Sequence, residues 1–263
     1  MHIITLTSDW NNDDYYVASL KGKLISKCPD IRIVDISHKI EPFKSAKAAF
    51  LVRNSFRNFP EGSVHIIAVN TEPLQGRALL AARIDGHYFI CADNGILGML
   101  GSEPEQVVVI PERKELQSGT FTALSHFSET ACSLAEDNSL DKIGIPAEKY
   151  EIPAAIKPTL GKNTITGSVR YMDTYENAIT NISKDFFERT GKGRPFKIFV
   201  QSKHYVLDKI NEKYNESPDG DLLAVFNSLG LLEIAIRNGN AGGLLKLTTD
   251  SSIRVDFKEE DNA

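Results

Sequence analysis

The chain has 263 residues, 41% of them hydrophobic, enough for one large or two modest cores. Its formal net charge is −5 and Lys and Arg form no dense run, which argues against a nucleic-acid surface or a polybasic membrane anchor and leaves small-molecule chemistry as the default. No stretch reaches the roughly 18 apolar residues of a membrane span, and no basic region followed by an apolar core opens the chain, so the expected location is the cytoplasm.

In chain order, the first apolar run, Ile3-Ile4-Thr5-Leu6, reads as a strand ending at Asp9. Asp14 then opens a helical pattern with Val17, Leu20 and Leu24 as its buried stripe. Ligands of open α/β sheets collect outside the carboxyl ends of strands, so Asp9 is a candidate acceptor for both hydroxyls of a ribose. The structural alternative is that Asp9 or Asp14 merely caps the helix. A strand from Ile31 to Ile36, a helix from about Ser45 to Phe56 and a strand from Val64 to Val69 follow, an alternation that implies a sheet with helical crossovers. Strands from Ala78 to Ile84 and His87 to Ala92 flank Asp85-Gly86, a strong hairpin signal, so the sheet is predicted to be mixed. Gln106 to Ile110 supplies another strand. A helix from about Ser125 to Ala135, with Phe127, Ala131, Leu134 and Ala135 on one face, closes the first domain. Cys28, Cys91 and Cys132 are far apart and form no CxxC pair, so they read as small buried hydrophobes rather than a disulfide framework or a zinc site.

The character changes near residue 150. Pro146, Pro153, Pro158 and Gly161 fall between Ile145 and Asn163, marking a connection between a domain at 1–150 and another at 163–263. The second carries short strand-like runs: Thr164 to Tyr171, Phe196 to Gln201, Leu222 to Phe226, Leu231 to Ile236, Leu244 to Leu247 and Ile253 to Phe257. Turn signals such as Pro218-Asp219-Gly220 and Asn238-Gly239-Asn240 suggest an antiparallel barrel or sandwich.

Three segments carry a more specific signal: TSDWNNDDYYVASLKG near the N-terminus, Tyr171-Met172-Asp173-Thr174-Tyr175-Glu176-Asn177-Ala178, and Asn227-Ser228-Leu229-Gly230 running on to Arg237-Asn238-Gly239-Asn240-Ala241. Together with Val34-Asp35-Ile36-Ser37-His38, Phe59-Pro60-Glu61-Gly62, Asp93-Asn94-Gly95 and Thr120-Phe121 in the same order, they resemble the S-adenosylmethionine hydroxide adenosyltransferase family, relatives of the fluorinating and chlorinating enzymes. The resemblance implies an α/β fold: an N-terminal mixed-sheet domain with helices on both faces, then a smaller antiparallel β-barrel. It also implies an activity, hydrolysis of S-adenosyl-L-methionine (SAM) to adenosine and methionine. SAM enters as substrate; no cofactor, metal, nucleic acid or membrane is expected. The pocket is expected between the first domain of one subunit and the second of its neighbour in a homotrimer.

By the same resemblance, Asp9 matches the acid on the ribose hydroxyls and Asp14 an acid beside the methionine end. Phe43 and Phe121 match apolar walls, although either could be an ordinary core residue. Asp173 matches the carboxylate that meets the ligand's ammonium, Tyr175 an adenine stacking face and Asn177 an amide on the base edge; Asp173 and Asn177 could instead shape a turn. Ser228 matches a hydroxyl on the methionine carboxylate, and Asn238 is counted with the substrate-binding positions. Two departures stand out. The basic residue after the serine in halogenating relatives is Leu229 here, and of the acid, arginine and histidine that handle water, only Arg77 remains, the others being Asn70 and Thr122. Asn takes no proton and Thr is no base at neutral pH. Glu72 or His126 could substitute as general base, His126 being expected on a helix surface; alternatively Asn70 holds the water by its amide and so good a leaving group as methionine needs no strong base. The competing readings are a non-catalytic adenosine or SAM binder, a halide-using transferase, disfavoured because Ala123 replaces the serine that presents fluoride, and a scaffold without ligand.

Overall fold

The computed structural model describes residues 2–71, 77–111, 120–121 and 123–259, and divides into two compact units, 1–154 and 155–263. In the first unit, β1 (His2–Ser8) leads through α1 (Tyr15–Lys27) to β2 (Ile31–Ser37), and α2 (Ser45–Arg53) leads to β3 (Val64–Ala68). Then come β4 (Leu79–Ile84), β5 (His87–Ala92), β6 (Gln106–Ile110), α3 (Ser128–Asp137) and β7 (Ile145–Pro146). The sheet order is β2-β1-β3-β5-β4-β6-β7, parallel from β2 through β5 and antiparallel beyond.

Helices cover both faces, which is why β3 and β5 are buried along their whole length. On one face Leu20 and Leu24 of α1 and Ala131 and Leu134 of α3 pack with Ile4, Leu6, Ile66 and Ile90. On the other, Ala48, Ala49 and Val52 of α2 pack with Ile67, Val69, Leu80 and Phe89. Adjacent residues such as Ile66 and Ile67 thus feed opposite cores, as the strand period of two requires. Asp85 and Gly86 take φ of 49° and 76°, left-handed at both positions as the tightest β-hairpin turns demand.

Two expectations fail here. The C-terminus of α1 and the side of α3 meet on one face of the sheet, and Cys28 and Cys132 form a disulfide with their Cα atoms 5.8 Å apart; only Cys91 remains a buried free thiol. Spacing concealed the pair because 104 positions separate its members. Burial, with Asp93 adding to it, pushes the Cys91 thiol up to about 12. Secondly, a π-helical turn, Ala123–Phe127, precedes α3. Its extra residue per turn rotates the segment relative to a regular helix, and His126 is buried rather than on the surface.

The second unit comprises β8 (Thr159–Leu160), β9 (Thr164–Met172), β10 (Ala178–Ser183), α4 (Lys184–Gly191), β11 (Phe196–Val200), β12 (Val206–Leu207), β13 (Leu222–Phe226), β14 (Leu231–Ile236), α5 (Ala241–Leu245) and β15 (Ser252–Phe257). Its antiparallel sheet runs β12-β11-β15-β9-β10-β14-β13, with β8 beside β9, and curls into a nearly closed barrel. Ile165, Val169, Ile182, Ile198, Ile234, Ile253 and Val255 fill it. Residues Leu244–Leu247, expected as a strand, begin inside α5 instead, where the Asn240 side chain accepts the Gly243 N–H as an N-cap. The alternation of Leu pairs with polar residues is too short to distinguish the two periods.

Candidate functional site

Because β1, β2 and β3 are parallel, their carboxyl ends share one edge. The chain crosses from β1 to β2 on one side and then past β1 to β3 on the other, so loops diverge beside β1, the position where open α/β sheets hold ligands. Asp9 stands there. Its Oδ2 accepts the N–H of Phe43, after β2, at 3.0 Å and that of Asn70, after β3, at 3.2 Å. One carboxylate oxygen thereby ties three strand ends together, and Oδ1 takes no hydrogen bond from the described residues. It caps neither helix; Asp14 occupies the N-cap position of α1 but makes no side-chain cap bond.

Local backbone strain gathers at this edge. Phe43 and Asn70 adopt φ of 67° and 50°, a region costly for residues with a Cβ and tolerated best by Asn. Phe43 is held there 68% exposed, an apolar residue available to a ligand. Arg77 Nη1 donates to Asn70 Oδ1 at 3.3 Å, and Asn94 Nδ2 donates to the Asn70 carbonyl at 3.2 Å and the Val69 carbonyl at 3.0 Å. Phe121 packs edge-on against Trp10, centroids 5.1 Å apart, and Tyr16, 5.0 Å apart. Trp10 and Tyr16 were not singled out by sequence reasoning; their signal was adjacency to Asp9 and to the start of α1.

Of the substitute bases, His126 lines a separate cavity of about 100 Å³ with Ile110, Glu129, Thr130 and Ser133, and its Nδ1 lies 3.1 Å from Ser125 Oγ. None of the residues around Asp9 shares that cavity. Glu72 and Thr122 lie outside the described residues, and Ala123 is fully buried.

In the second unit, Ile179 of β10, Glu233 of β14 and Val225 of β13 are direct cross-strand neighbours and form the floor of a cavity of about 510 Å³. Asp173 and Ser228 both line it, with Glu212, Tyr214, Asn227 and Leu229. Asp173 Oδ1 accepts the N–H groups of Tyr175 (2.9 Å) and Asn177 (2.8 Å), and its Oδ2 accepts Asn177 Nδ2 at 3.1 Å. It is therefore a turn former as well as a cavity residue. Tyr175 is 77% exposed and Asn177 is buried beside Asp173; neither lines the cavity. Asn238, with φ of 48°, sits exposed in the turn after β14 and outside the lining. Missed by the sequence reading were Glu233 and Tyr214. The Tyr214 hydroxyl donates to Glu233 Oε1 at 2.7 Å, and burial, then the Glu233 hydrogen bond and charge, push the phenol well above its usual range.

Among the described residues, no group of three or more His, Cys, Asp or Glu is placed to hold a metal, and no helix is long and apolar enough to cross a membrane. A mixed α/β unit with an anchored acid at its strand switch, followed by an antiparallel barrel with a polar cavity, defines a small-molecule-binding protein of two-domain architecture. The chain belongs to the SAM hydroxide adenosyltransferase family: the family's N-terminal domain model matches residues 4–144 and its C-terminal domain model residues 167–254. The (R)-S-adenosyl-L-methionine hydrolase of Methanocaldococcus jannaschii is 26% identical, the alignment covering 97% of this chain and 96% of that one. Its namesake from Thermus thermophilus is 27% identical over 97% and 100% of the two chains. An uncharacterized conserved protein from Thermotoga maritima superposes with a TM-score of 0.87 at 25% identity, over 96% of this chain and 99% of the other.

Proposed function

We propose that this protein hydrolyses S-adenosyl-L-methionine, in the R configuration at sulfur that its relatives' names specify, to adenosine and L-methionine. The carrying observation is Asp9, a carboxylate fixed by two backbone N–H groups at the strand switch, whose Oδ1, unbonded among the described residues, would accept the ribose diol. The water oxygen bonds to C5′ while the C5′–S bond breaks. The bonding pair passes to sulfur, methionine leaves as a neutral thioether, and the water's proton goes to solvent. So good a leaving group makes alignment and partial dehydration of the attacking water the main tasks. Arg77 supplies fixed donors for that water and Asn70 orients Arg77; by chemistry neither these two nor Thr122 is a general base.

Phe43 and Phe121 wall the nucleoside, Tyr175 stacks on adenine and Asn177 meets its edge. Asp173 and Asp14 receive the ammonium end, and Ser228 with Asn238 the carboxylate end. The two halves of the pocket are completed by assembly into a homotrimer, each first domain facing a neighbour's second domain, and the proposed location is the cytoplasm. The test incubates purified protein with each sulfonium epimer and follows adenosine and methionine by chromatography. Equimolar products from the R epimer are expected. Adenosine binding without any product above a mock preparation would make the protein a binder instead.

A further inference from the structure

Glu233 is the one Asp or Glu buried among the described residues, 2% exposed in the middle of β14. A buried carboxylate is costly unless both oxygens are bonded. Here Oε1 accepts the Tyr214 hydroxyl at 2.7 Å and Oε2 accepts Asn227 Nδ2 at 3.0 Å. The Asn227 amide cannot turn over, because its Oδ1 already accepts the N–H groups of Leu229 (3.0 Å) and Leu231 (3.2 Å). Those bonds close the β13–β14 turn, in which Gly230 takes φ of 68° and Ser228 and Leu229 face the cavity. The chain of bonds therefore runs from one buried charge to the β13–β14 turn and to Tyr214, both of which line the cavity.

We propose that Glu233 is the positioning residue for the amino-acid tail of the substrate: through Asn227 it sets the turn that presents Ser228, and by its second bond it holds Tyr214 in the cavity lining. The inference rests on the reading of this cavity as the tail site of a SAM hydrolase. It makes a stereochemically specific demand. In Asn227→Asp one carboxylate oxygen still takes the N–H groups of Leu229 and Leu231, and the other meets the Glu233 carboxylate, acceptor against acceptor. Adding Glu233→Gln restores both bonds with the same net charge as wild type, the new amide accepting from Tyr214 through its oxygen. The carboxylate at position 227 then accepts from the facing amide through one oxygen and still takes the N–H groups of Leu229 and Leu231 on the other.

The test measures KM and kcat for SAM and, separately, Kd for adenosine, which lacks the tail. Asn227→Asp is expected to raise KM about 10- to 100-fold, as loss of a charged hydrogen bond does, with kcat within about threefold and adenosine Kd within about twofold. The double variant is expected to return KM to within about threefold of wild type. Equal losses for SAM and adenosine, or no rescue by the double variant, would overturn the proposal. If Asn227→Asp does not fold, comparing the double variant with Glu233→Leu, which removes the acceptor of both Tyr214 and Asn227, decides the same question. Wild-type turnover reports on the hydrolase reading by itself; should it be absent, Kd for SAM replaces KM with the same expected pattern, and no SAM binding to wild type would overturn the positioning role as well.

Discussion

Asp9 and Asp173 are both half-exposed acids in family motifs, yet they are held in opposite ways. Asp9 is anchored through one oxygen by N–H groups 34 and 61 positions away, and its second oxygen takes no hydrogen bond from the described residues. Asp173 receives three bonds, all from within four residues of itself, and both its oxygens are engaged. The first arrangement uses the fold to aim a carboxylate; the second uses a carboxylate to make a local turn. A ligand-facing role follows directly for Asp9. For Asp173 it is added to an architectural one.

The largest expected effect tests that contrast at Asp9. Asp9→Asn keeps an oxygen for Phe43 and Asn70 but turns an NH₂ toward the ribose hydroxyls, so kcat/KM for SAM should fall about 1000-fold, two charge-assisted bonds at roughly 2 kcal/mol each. A fall below tenfold would erase the distinction. Next is the disulfide, confined to the Asp9-bearing unit. The link closes a long loop, so Cys28→Ser should lower unfolding stability by about 3 kcal/mol in denaturant titrations, with no loss in the same titration of wild type kept under reductant as the contrary result.

A third prediction concerns His65, at the opposite end of β3 from Asn70. Burial, reinforced by the neighbouring His87, holds its pKa down to about 3 against 6.5. The unfolded chain therefore takes up a proton that the folded one refuses, so stability present above pH 6.5 is lost as pH falls toward 3. At pH 5 the loss relative to pH 7 is about 2 kcal/mol; His65→Gln should flatten that slope, and an unchanged slope would remove His65 as its source. The smallest effect belongs to Asp173→Ala, for which a KM increase of about tenfold and about 1 kcal/mol of lost stability should appear together. Lost stability with an unchanged KM would leave Asp173 purely architectural.

What the sequence displayed depended on distance along the chain. The bounds of β5, β6, β13 and β14 coincide with their apolar runs, because burial and turn residues act locally there. Asp9 was legible because it ends an apolar run. By contrast α4 went unnoticed: of its eight residues only Phe187 and Gly191 are buried, too few to mark a period. The Cys28–Cys132 bond, the burial of His126 and the Tyr214–Glu233–Asn227 chain all need packing between elements that no local pattern encodes. Glu233 in particular reads as an interruption of an apolar strand until its two partners are in place.

The most direct test of the account is turnover of (R)-SAM in ¹⁸O-labelled water with mass analysis of both products. Water attack at C5′ on a nucleoside gripped by Asp9 predicts one ¹⁸O in the 5′-hydroxyl of adenosine, none in methionine, and no labelled product from Asp9→Asn on the same timescale. Unlabelled adenosine, label in the amino-acid product, or undiminished labelling by Asp9→Asn would contradict it.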